Sequence, residues 1–548
     1  LRRISDRMVE LTKKYGGLMW GEHGRGFRSE YGPKYFGDLY PELRKIKKAF
    51  DPDNRLNPGK IAVPEGNDEK LVSVDFQKRG TFDRQISLDV RHDFSDAMGC
   101  NGNGQCFTYD LNSPMCPSYK LTRDRRFSPK GRSSLIREWL RELQTRGIDP
   151  RDEEHIKDGR SVAGVFRRFI NTLALKSGTK DFSREVWDAM QECLACKACA
   201  SQCPVKVDVS NFRARFLNIY YQRYSRPLKD MIVRNIEKTV PLAASFPRLM
   251  NALTLNPVSD FLTRKIVGFA DAPAMSYPAL PALLAELGIE TIREPERLGQ
   301  LPEEERKKSI LFVEDAFTRV YDAPVVAHFL KLVKLLGFRP YVLRYLPNGK
   351  TQHVKGFLHE FYGTALRAAG FLNSVSAYGI PLVGLDPAMV ICYRDEYTRV
   401  LKDLRGDFNV MLPQEWLLSV LDQIPAKPVP ENAETYYLLA HCQERTLIPS
   451  THADWEKILS RFGVRLKAVP VGCCGMAGIY GHDSSHLEQS KKLYSMSWGP
   501  VISKYGVDHC VATGYSCRSQ VYRMEDRAVM LHPLELALKA IEKQEAAG

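Results

Sequence analysis

Four cysteines in the middle of the sequence follow one another at short, regular intervals. They form the run Cys193-x2-Cys196-x2-Cys199-x3-Cys203, and Pro204 follows directly. This is the spacing of bacterial ferredoxins, in which the fourth cysteine binds the other cluster of a pair. A structural zinc site or four unrelated thiols are the alternatives, but zinc sites usually space their ligand pairs farther apart. The run therefore predicts a cysteine-ligated iron–sulfur cluster.

A second set of cysteines lies upstream and departs from this spacing. It is Cys100-x2-Asn103-x2-Cys106, with asparagine in place of the middle thiolate, and Cys116-Pro117 follows after nine residues rather than three. By the ferredoxin crossover, the ligands of one cubane [4Fe–4S] cluster would be Cys116, Cys193, Cys196 and Cys199. The cysteines left over are Cys100, Cys106 and Cys203, one ligand short of a second cluster. They either hold a cluster with an unusual ligand or pack as core residues, and spacing leaves both open.

Four cysteines near the C-terminus form a third candidate site. Two are adjacent and the other two follow predicted strands; they are Cys442, Cys473, Cys474 and Cys517. Sites collect at strand ends in α/β folds, and Gly475 permits a turn that is barred to other residues. We therefore expect the four thiolates to line one metal or redox centre, with buried thiols acting as small apolar side chains as the alternative. Cys392 and Cys510 are assigned to the core.

The composition excludes several classes of protein. The 13 cysteines are bunched and no secretory signal accompanies them, which indicates metal ligands in a reducing compartment. The net charge is +14 without a nucleic-acid-binding motif, so we expect a solvated basic face and no nucleic acid. No uninterrupted run of about 18 apolar residues occurs, so no membrane span is predicted. The apolar stretch Pro241–Leu287 is typical of a helical linker, with a membrane-surface patch as the alternative.

The chain is too long for one hydrophobic core, so we expect several domains. The predicted fold class is multidomain α+β, with an α-helical ferredoxin-type domain followed by a duplicated α/β domain. The predicted boundaries are 1–63 for a helix, a glycine-rich loop and a helix, 64–92 for a linker, 93–210 for the ferredoxin-type domain, 211–304 for a helical linker, and 305–430 and 431–548 for the two α/β halves.

The duplication shows as an approximate repeat from Lys308 onward. The strands predicted in the first half are Ser309–Glu314, Pro340–Arg344 and Pro381–Asp386. Those predicted in the second half are Tyr436–Ala440, Val464–Val469 and Val511–Gly514. The second half carries cysteines at its strand ends, whereas the first has only Cys392. One half is therefore expected to keep a site that the other has lost.

Taken together, these segments resemble a known family. The order "MCPSY…SPKGR", "CLACKACASQCP" and "VGCCGMAG…TGYSC" is similar to the bacterial fused FAD-linked oxidase/iron–sulfur oxidoreductases of the D-2-hydroxyglutarate dehydrogenase type. These are related to the iron–sulfur subunits of glycolate and D-lactate oxidases. "GEHGRG" and "FDPDNRLNPGK" resemble the end of the oxidase's substrate-binding domain. The resemblance implies that 1–63 is the tail of an FAD-linked oxidase C-terminal domain and that both α/β halves are of the CCG type.

The resemblance also implies site residues and a cofactor. Glu22 would ligate a catalytic divalent metal, zinc or manganese, and His23 would lie at the hydroxyl being oxidised, as general base or orienter. Asn57 and Gly59 would lie on the FAD side of the domain. A solvated loop with a chance histidine is the alternative for the Glu22–His23 pair. Heterodisulfide-reductase relatives carry a further Cys-x2-Cys, but Gly514 stands three residues before Cys517 here, which argues against their non-cubane cluster.

Two functional hypotheses follow. The first is an enzyme that oxidises a D-2-hydroxy acid, D-2-hydroxyglutarate above all, through FAD and passes electrons over the cluster to a quinone or carrier protein. The second is an electron-transfer subunit without catalysis, which would have no use for residues 1–63; an iron–sulfur nucleic-acid protein is disfavoured. We expect a cytoplasmic homo-oligomer, with the inner membrane face as an alternative location. Because the chain starts at Leu1 inside a predicted helix, we also expect its flavin-binding half to lie outside this sequence.

Overall fold

The structure is a computed structural model that describes residues 1–19, 26–78, 80–151, 162–177 and 181–545. It divides into two compact units, Leu1–Gln85 and Ile86–Gly548. The boundary lies inside the predicted linker 64–92. The predicted mixture of helices and sheets is confirmed.

The first unit is helical and has a small core. Its helices are α1 (Arg2–Lys14), α2 (Gly32–Phe36) and α3 (Tyr40–Phe50). Val9, Tyr31 and Val74 are buried together, and Met19 packs against them. The guanidinium of Arg2 donates hydrogen bonds to Ser73 (2.9 Å) and Asp75 (2.8 Å). Part of the stretch predicted as a surface linker is therefore folded into this unit.

The second unit begins with helices that surround the cysteine-bearing segments. They are α4 (Leu88–Asp93), α5 (Ser95–Met98), α6 (Pro117–Thr122), α7 (Pro129–Thr145), α8 (Val162–Lys176), α9 (Phe182–Gln191), α10 (Ala198–Gln202), α11 (Val209–Arg223), α12 (Leu228–Ala243), α13 (Pro247–Thr254) and α14 (Pro257–Leu262), followed by a π-helix at Thr263–Val267. Side chains fix several helix starts. Ser128 accepts a hydrogen bond from the Gly131 N–H (3.0 Å), and Asp208 accepts one from the Asn211 N–H (3.2 Å).

The remaining helices surround two sheets. They are α15 (Leu280–Glu286), α16 (Glu296–Gly299), α17 (Glu303–Lys307), α18 (Ala316–Tyr321), α19 (Ala323–Leu335), α20 (Lys350–Val354), α21 (Leu358–Ser376), α22 (Pro387–Arg394), α23 (Glu396–Leu401), α24 (Pro413–Ser419), α25 (Cys442–Leu447), α26 (Thr451–Arg461), α27 (Leu487–Tyr505), α28 (Tyr515–Met524) and α29 (Pro533–Glu545). The strands are β1 (Thr291–Ile292), β2 (Ser309–Val313), β3 (Arg339–Leu343), β4 (Leu382–Gly384), β5 (Val410–Met411), β6 (Thr435–Leu438), β7 (Arg465–Ala468) and β8 (Cys510–Val511).

Both sheets are parallel and share one strand order. The first runs β1-β3-β2-β4-β5 and the second runs β7-β6-β8. The order β3-β2-β4 therefore recurs as β7-β6-β8, and the six strands predicted for the repeat are confirmed with shifted ends. One apolar core joins the two sheets, since it contains Phe312 of β2 and Leu438 of β6 together with Trp416 and Trp455.

One part of the predicted helical linker 211–304 was wrong. Thr291 and Ile292 form strand β1, which pairs with Val342 and Leu343 of β3. Two residues are too short a stretch for the alternating pattern that marks a strand, so only the pairing with β3 identifies it. The edge strand β5 is equally short and was missed for the same reason.

Candidate redox site

The four C-terminal cysteines lie after the strands of the second sheet. Cys442 is the first residue of α25, which follows β6, and Cys517 lies in α28, which follows β8. Cys473 and Cys474 lie in the loop after β7. Parallel strands end at one edge of a sheet, and the central strand β6 separates β7 from β8. The three connections therefore meet at the edge where parallel α/β folds place their sites.

The thiols of this group are linked by hydrogen bonds in the order Cys442, Cys473, Cys474, Cys517. The hydrogen bond from Cys473 lowers the pKa of Cys442 to about 6. Hydrogen bonds from Cys473 and Cys517 hold the pKa of Cys474 well below its usual value. In return, the pKa values of Cys473 and Cys517 are raised. The structure thus brings the four predicted residues together, with lowered and raised thiol pKa values alternating along the chain.

Two glycines let the chain close around these sulfurs. Gly475 has φ +92°, and a β-carbon there would lie 2.2 Å from the carbonyl oxygen of Ser490. Its N–H donates a hydrogen bond to the sulfur of Cys473 at 3.3 Å. At Gly514 a β-carbon would lie 2.5 Å from the His441 ring. The turn predicted at Gly475 is therefore required by both backbone angle and space.

His441 lies beside this group and was not predicted as a site residue. Its side chain is buried, and its Nδ1 has no hydrogen-bond partner in the described part of the chain. Burial lowers the pKa of His441, but the charges of Cys442, Asp386 and Cys474 raise it more. Only its position directly before Cys442 could have marked it from the sequence.

The predicted cubane ligands also lie near one another. Burial raises the pKa of Cys196, and the charges of Cys442, Cys193 and Cys116 raise it further. Burial likewise raises the pKa of Cys199, as do Asp208, Cys196 and Cys193. The loop turns tightly here, because Ala195 and Lys197 have φ of +52° and +59°. The short x2 spacings thus bring three thiols together, and the fold brings Cys116 to the same region.

The three cysteines left over behave differently from one another. Burial raises the pKa of Cys106, and the charges of Cys116 and Cys100 add to this, so Cys100 and Cys106 lie beside Cys116. Cys203 packs against the same apolar core from the end of α10. Asn103, at the position of a missing thiolate, accepts a hydrogen bond from the Gln105 N–H (2.9 Å) and thereby shapes a turn.

The two cysteine groups adjoin, although about 240 residues separate them in the sequence. Besides the charge of Cys442 acting on Cys196, the Gln443 side chain donates a hydrogen bond to the carbonyl of Ala195 (3.3 Å). Leu194 packs in one apolar cluster with Cys473, Tyr480 and Leu493. No local pattern of residues predicts this contact, which depends on the packing of α10 against α25.

The ammonium of one buried lysine is affected by the charges of both cysteine groups. Burial lowers the pKa of Lys120 by more than the charges of Asp110, Cys116, Cys196 and Cys473 raise it. Its ammonium donates a hydrogen bond to the carbonyl of Ser113. Lys120 and Cys473 also line a small common cavity. A cation placed between two groups of thiolates stabilises their charged forms.

The thiol sulfurs at this site are the type of ligand that binds iron–sulfur clusters. None of the 13 cysteines forms a disulfide in the structure. Backbone N–H groups of Ala198, Val209 and Met476 donate hydrogen bonds to the sulfurs of Cys196, Cys199 and Cys474, and such bonds tune cluster potentials. Among the described residues, no three His, Cys, Asp or Glu side chains form a group that could hold a single metal ion. A cubane spreads its ligands over four irons, so its sulfurs need not surround one point.

The other predicted site residues have simpler surroundings. Glu22 and His23 lie outside the described residues. Asn57 and Gly59 form a turn in which the Gly59 carbonyl accepts a hydrogen bond from the Val72 N–H (2.8 Å). A β-carbon on Gly59 would lie 2.9 Å from the carbonyl oxygen of Lys70. Cys392 is buried in an apolar cluster that contains none of the four thiols, whereas Cys510 is buried in the cluster that also contains Cys474 and Cys517.

Comparison with known protein families gives a match for part of the first unit. Residues 1–61 match the model of the C-terminal domain of FAD linked oxidases. No helix in the described part of the chain has the length and apolar character needed to span a membrane. No solved structure matches the chain.

Over nearly its whole length the chain is similar to D-2-hydroxyglutarate dehydrogenases. It is 49% identical to that of Escherichia coli (strain K12) over 546 residues and 44% identical to that of Haemophilus influenzae over 548 residues. These matches cover 99% of this chain and 53% of each relative, so the chain spans about half the length of the curated relatives it matches. The expectation that it is only a C-terminal fragment is not carried further.

A more distant similarity covers part of the chain. Over 176 residues, it is 27% identical to one subunit of the anaerobic glycerol-3-phosphate dehydrogenase of Escherichia coli (strain K12). This match covers 31% of the chain and 42% of that protein.

Proposed function

We propose that the protein oxidises D-2-hydroxyglutarate to 2-oxoglutarate through FAD and passes the electrons over cysteine-ligated iron–sulfur chemistry to an acceptor. The similarity to D-2-hydroxyglutarate dehydrogenases over 99% of the chain and the FAD linked oxidase match at 1–61 support the substrate and the flavin. The electron-transfer part rests on one observation: the two cysteine groups adjoin, with the Gln443 side chain donating a hydrogen bond to the carbonyl of Ala195 and the charge of Cys442 acting on Cys196.

The substrate side of the proposal uses the first unit. Oxidation removes a hydride from C2 of the hydroxy acid and a proton from its hydroxyl, and FAD, when bound, accepts the hydride. His23 would take or orient the hydroxyl proton, and Glu22 would hold a divalent metal, zinc or manganese, that orients the substrate. Asn57 and Gly59 would face the flavin through the turn they form.

The electron-transfer side uses the ferredoxin-type segment. A [4Fe–4S] cluster, when bound by Cys116, Cys193, Cys196 and Cys199, supplies one-electron chemistry. The chain surrounds these sulfurs with apolar residues and backbone donors, which set the potential. Cys100, Cys106 and Cys203 would form the incomplete second site.

The CCG-type group would be the acceptor-facing end of the path. Cys442, Cys473, Cys474 and Cys517 combine two lowered and two raised thiol pKa values in one buried chain. Such a set can exchange electrons and protons more readily than isolated buried thiols. A quinone or a carrier protein is the proposed acceptor.

The central experiment removes single ligands. In anaerobically purified protein, Cys193→Ala or Cys196→Ala should abolish an iron–sulfur EPR signal and remove the matching iron and sulfide. Cys392→Ala, at a buried thiol in an apolar cluster apart from both groups, is the matched control and should keep the signal. Unchanged EPR spectra in both ligand variants would refute the cluster assignment.

The substrate is tested separately on the whole enzyme. D-2-hydroxyglutarate should reduce an artificial dye acceptor, whereas the L enantiomer should be at least tenfold less effective. His23→Ala should lower turnover far more than it raises KM, because it acts on the reacting hydroxyl. Equal activity on both enantiomers would contradict the proposed substrate.

A non-catalytic electron-transfer subunit is the second candidate. The similarity to a subunit of anaerobic glycerol-3-phosphate dehydrogenase favours it. The FAD linked oxidase match at 1–61 argues against it, since a carrier has no use for that domain. If the complete enzyme shows a normal EPR signal but does not oxidise hydroxy acids, the non-catalytic role is favoured.

A further inference from the structure

One helical segment in the second unit contains no buried residue. No residue from 238 to 269 is buried, although the segment includes the end of α12, all of α13 and α14, and the π-helix. The large apolar side chains exposed within it are Leu242, Phe246, Leu249, Leu253, Leu255, Val258, Phe261, Leu262 and Ile266. So many exposed apolar side chains within one short segment indicate an interaction site in a folded protein.

The segment is held in place at both ends. Glu237, just before it, is buried and accepts hydrogen bonds from the Gly349 N–H (2.8 Å) and the Thr351 N–H (3.1 Å). Just after it, the Ala270 N–H donates to the carbonyl of His482 (2.8 Å). In its middle, the Asn251 side chain donates to the carbonyl of Met275 (2.8 Å). The apolar surface therefore belongs to an anchored part of the fold.

The exposure within the segment is large. The exposed fractions are 73% for Leu242, 68% for Phe246, 69% for Val258 and 67% for Ile266. A partner that covers several of these side chains would be bound firmly, because their burial removes apolar surface from water.

The charge of the segment indicates what that partner is. Residues 238–269 contain four basic side chains and one acidic side chain. The acidic one, Asp260, is paired with Arg264 (2.8 Å). Lys238, Arg248 and Lys265 are exposed. A net positive, apolar surface is complementary to anionic lipid headgroups above acyl chains.

A second copy of this chain fits the surface less well. It would bring the same basic residues to a symmetric contact, and the chain as a whole carries a net charge of +14. The helices are also short: α13 has eight residues and is about 12 Å long, so it can lie on a bilayer but not cross it.

We propose that the segment 238–269 docks on the surface of an anionic lipid bilayer. Phe246, Leu249 and Phe261 enter the boundary between headgroups and acyl chains, while Lys238, Arg248 and Lys265 contact lipid phosphates. This docking stands apart from the proposed function, because it needs neither bound flavin nor cluster.

Vesicle co-sedimentation of the purified protein tests the docking. Vesicles of 70% phosphatidylcholine and 30% phosphatidylglycerol should bind it, and pure phosphatidylcholine vesicles should bind it at least tenfold more weakly. Raising the salt from 0.05 to 0.5 M should weaken binding, because each basic residue near the surface contributes about fivefold.

Two triple variants separate the apolar contribution to vesicle binding from the electrostatic one. F246S/L249S/F261S should lower vesicle affinity at least tenfold, and K238Q/R248Q/K265Q should remove most of the salt dependence. The matched control is L88S/L404S/V529S, which replaces three exposed apolar side chains elsewhere in the second unit and should bind like the wild type. Circular dichroism should show that all three variants remain folded, because every replaced side chain is exposed.

Direct insertion is measured with a new tryptophan. Phe261→Trp should gain fluorescence quenching by brominated acyl chains, whereas Leu404→Trp should not. The proposal is overturned if the wild type binds neither vesicle, or if F246S/L249S/F261S binds as strongly as the wild type. It is also overturned if light scattering shows that this variant only dissociates a dimer, because the segment would then be a subunit interface.

Discussion

At the residue scale, two carboxylates occupy strand ends in the half that lacks a cysteine site. Asp315 follows β2 and Asp386 follows β4, just as Cys442 and Cys517 follow β6 and β8. Each carboxylate caps the next helix: Asp315 accepts hydrogen bonds from the N–H groups of Phe317 and Thr318, both at 2.9 Å. Burial raises the pKa of Asp315 to about 7, and the charge of Asp386 contributes.

This pKa makes stability depend on pH in a defined direction. The folded pKa lies above the unfolded one, so the stabilisation is complete below about pH 4 and is lost as pH rises through about 7. Asp315→Asn keeps the cap but cannot ionise. We expect the variant to gain about 3 kcal/mol in stability relative to the wild type between pH 5 and pH 8, because about two of these pH units lie below the raised pKa and each contributes about 1.4 kcal/mol.

Urea unfolding at pH 5 and pH 8 measures this difference. Asp422→Asn, at an exposed aspartate, is the control and should show no such change between the two pH values. A stability difference between Asp315→Asn and the wild type that is the same at both pH values would contradict the raised pKa.

At the element scale, a buried lysine joins the cysteine run to the first α/β half. Lys197 lies between Cys196 and Cys199, and its side chain is fully buried. Its ammonium pairs with Asp395, with Glu396 (3.4 Å) and with Asp208 (3.5 Å). Burial raises the pKa of Glu396, but the charges of Lys197 and Lys350 lower it more, so the carboxylate stays ionised.

Removal of this cation should be costly. Lys197→Met leaves buried carboxylates without their partner, and we expect a loss of about 3–5 kcal/mol. The double variant K197M/E396Q should recover part of this loss, because one uncompensated charge is removed as well. Lys492→Met, at an exposed lysine, is the control.

Chemical denaturation of all three variants and the wild type provides the measurement. If Lys197→Met is as stable as Lys492→Met, the buried pairs do not stabilise the run.

The elements also show how far the sequence predicts this molecule. Strands β2 and β6 were predicted because each is a compact apolar run, and the ligand run at Cys193 was predicted because its spacing is local. The proximity of Cys196 to Cys442 could not be predicted, because it depends on how distant segments pack. Lys197 resembles an ordinary surface lysine in the sequence, since its three carboxylate partners lie 11 to 199 residues away.

At the scale of the whole molecule, the two units differ greatly in their cores. The buried cluster of Leu1–Gln85 contains Val9, Tyr31 and Val74, whereas the largest cluster of the second unit joins residues of both sheets. Small cores give marginal stability. We expect calorimetry to show a small low-temperature transition for the first unit and a larger, later one for the second.

Substitutions in each core assign the transitions. Val9→Ala should lower only the first transition temperature, and Val326→Ala, in the core shared by the sheets, should lower only the second, each by several degrees. A single transition shifted equally by both variants would show that the units unfold together.

The pairing of Lys197 with Asp395 also has a consequence for biosynthesis. The carboxylate leaves the ribosome 198 residues after the lysine, which is a delay of about 10–40 s at bacterial and eukaryotic translation rates. During this interval the central cation of the cysteine run lacks two of its three carboxylate partners, Asp395 and Glu396, and has only Asp208. We expect nascent chains stalled before Asp395 to leave Cys196 and Cys199 open to alkylation, and chains stalled well beyond it to protect them. Loading of the run would then be a late step, timed by translation itself.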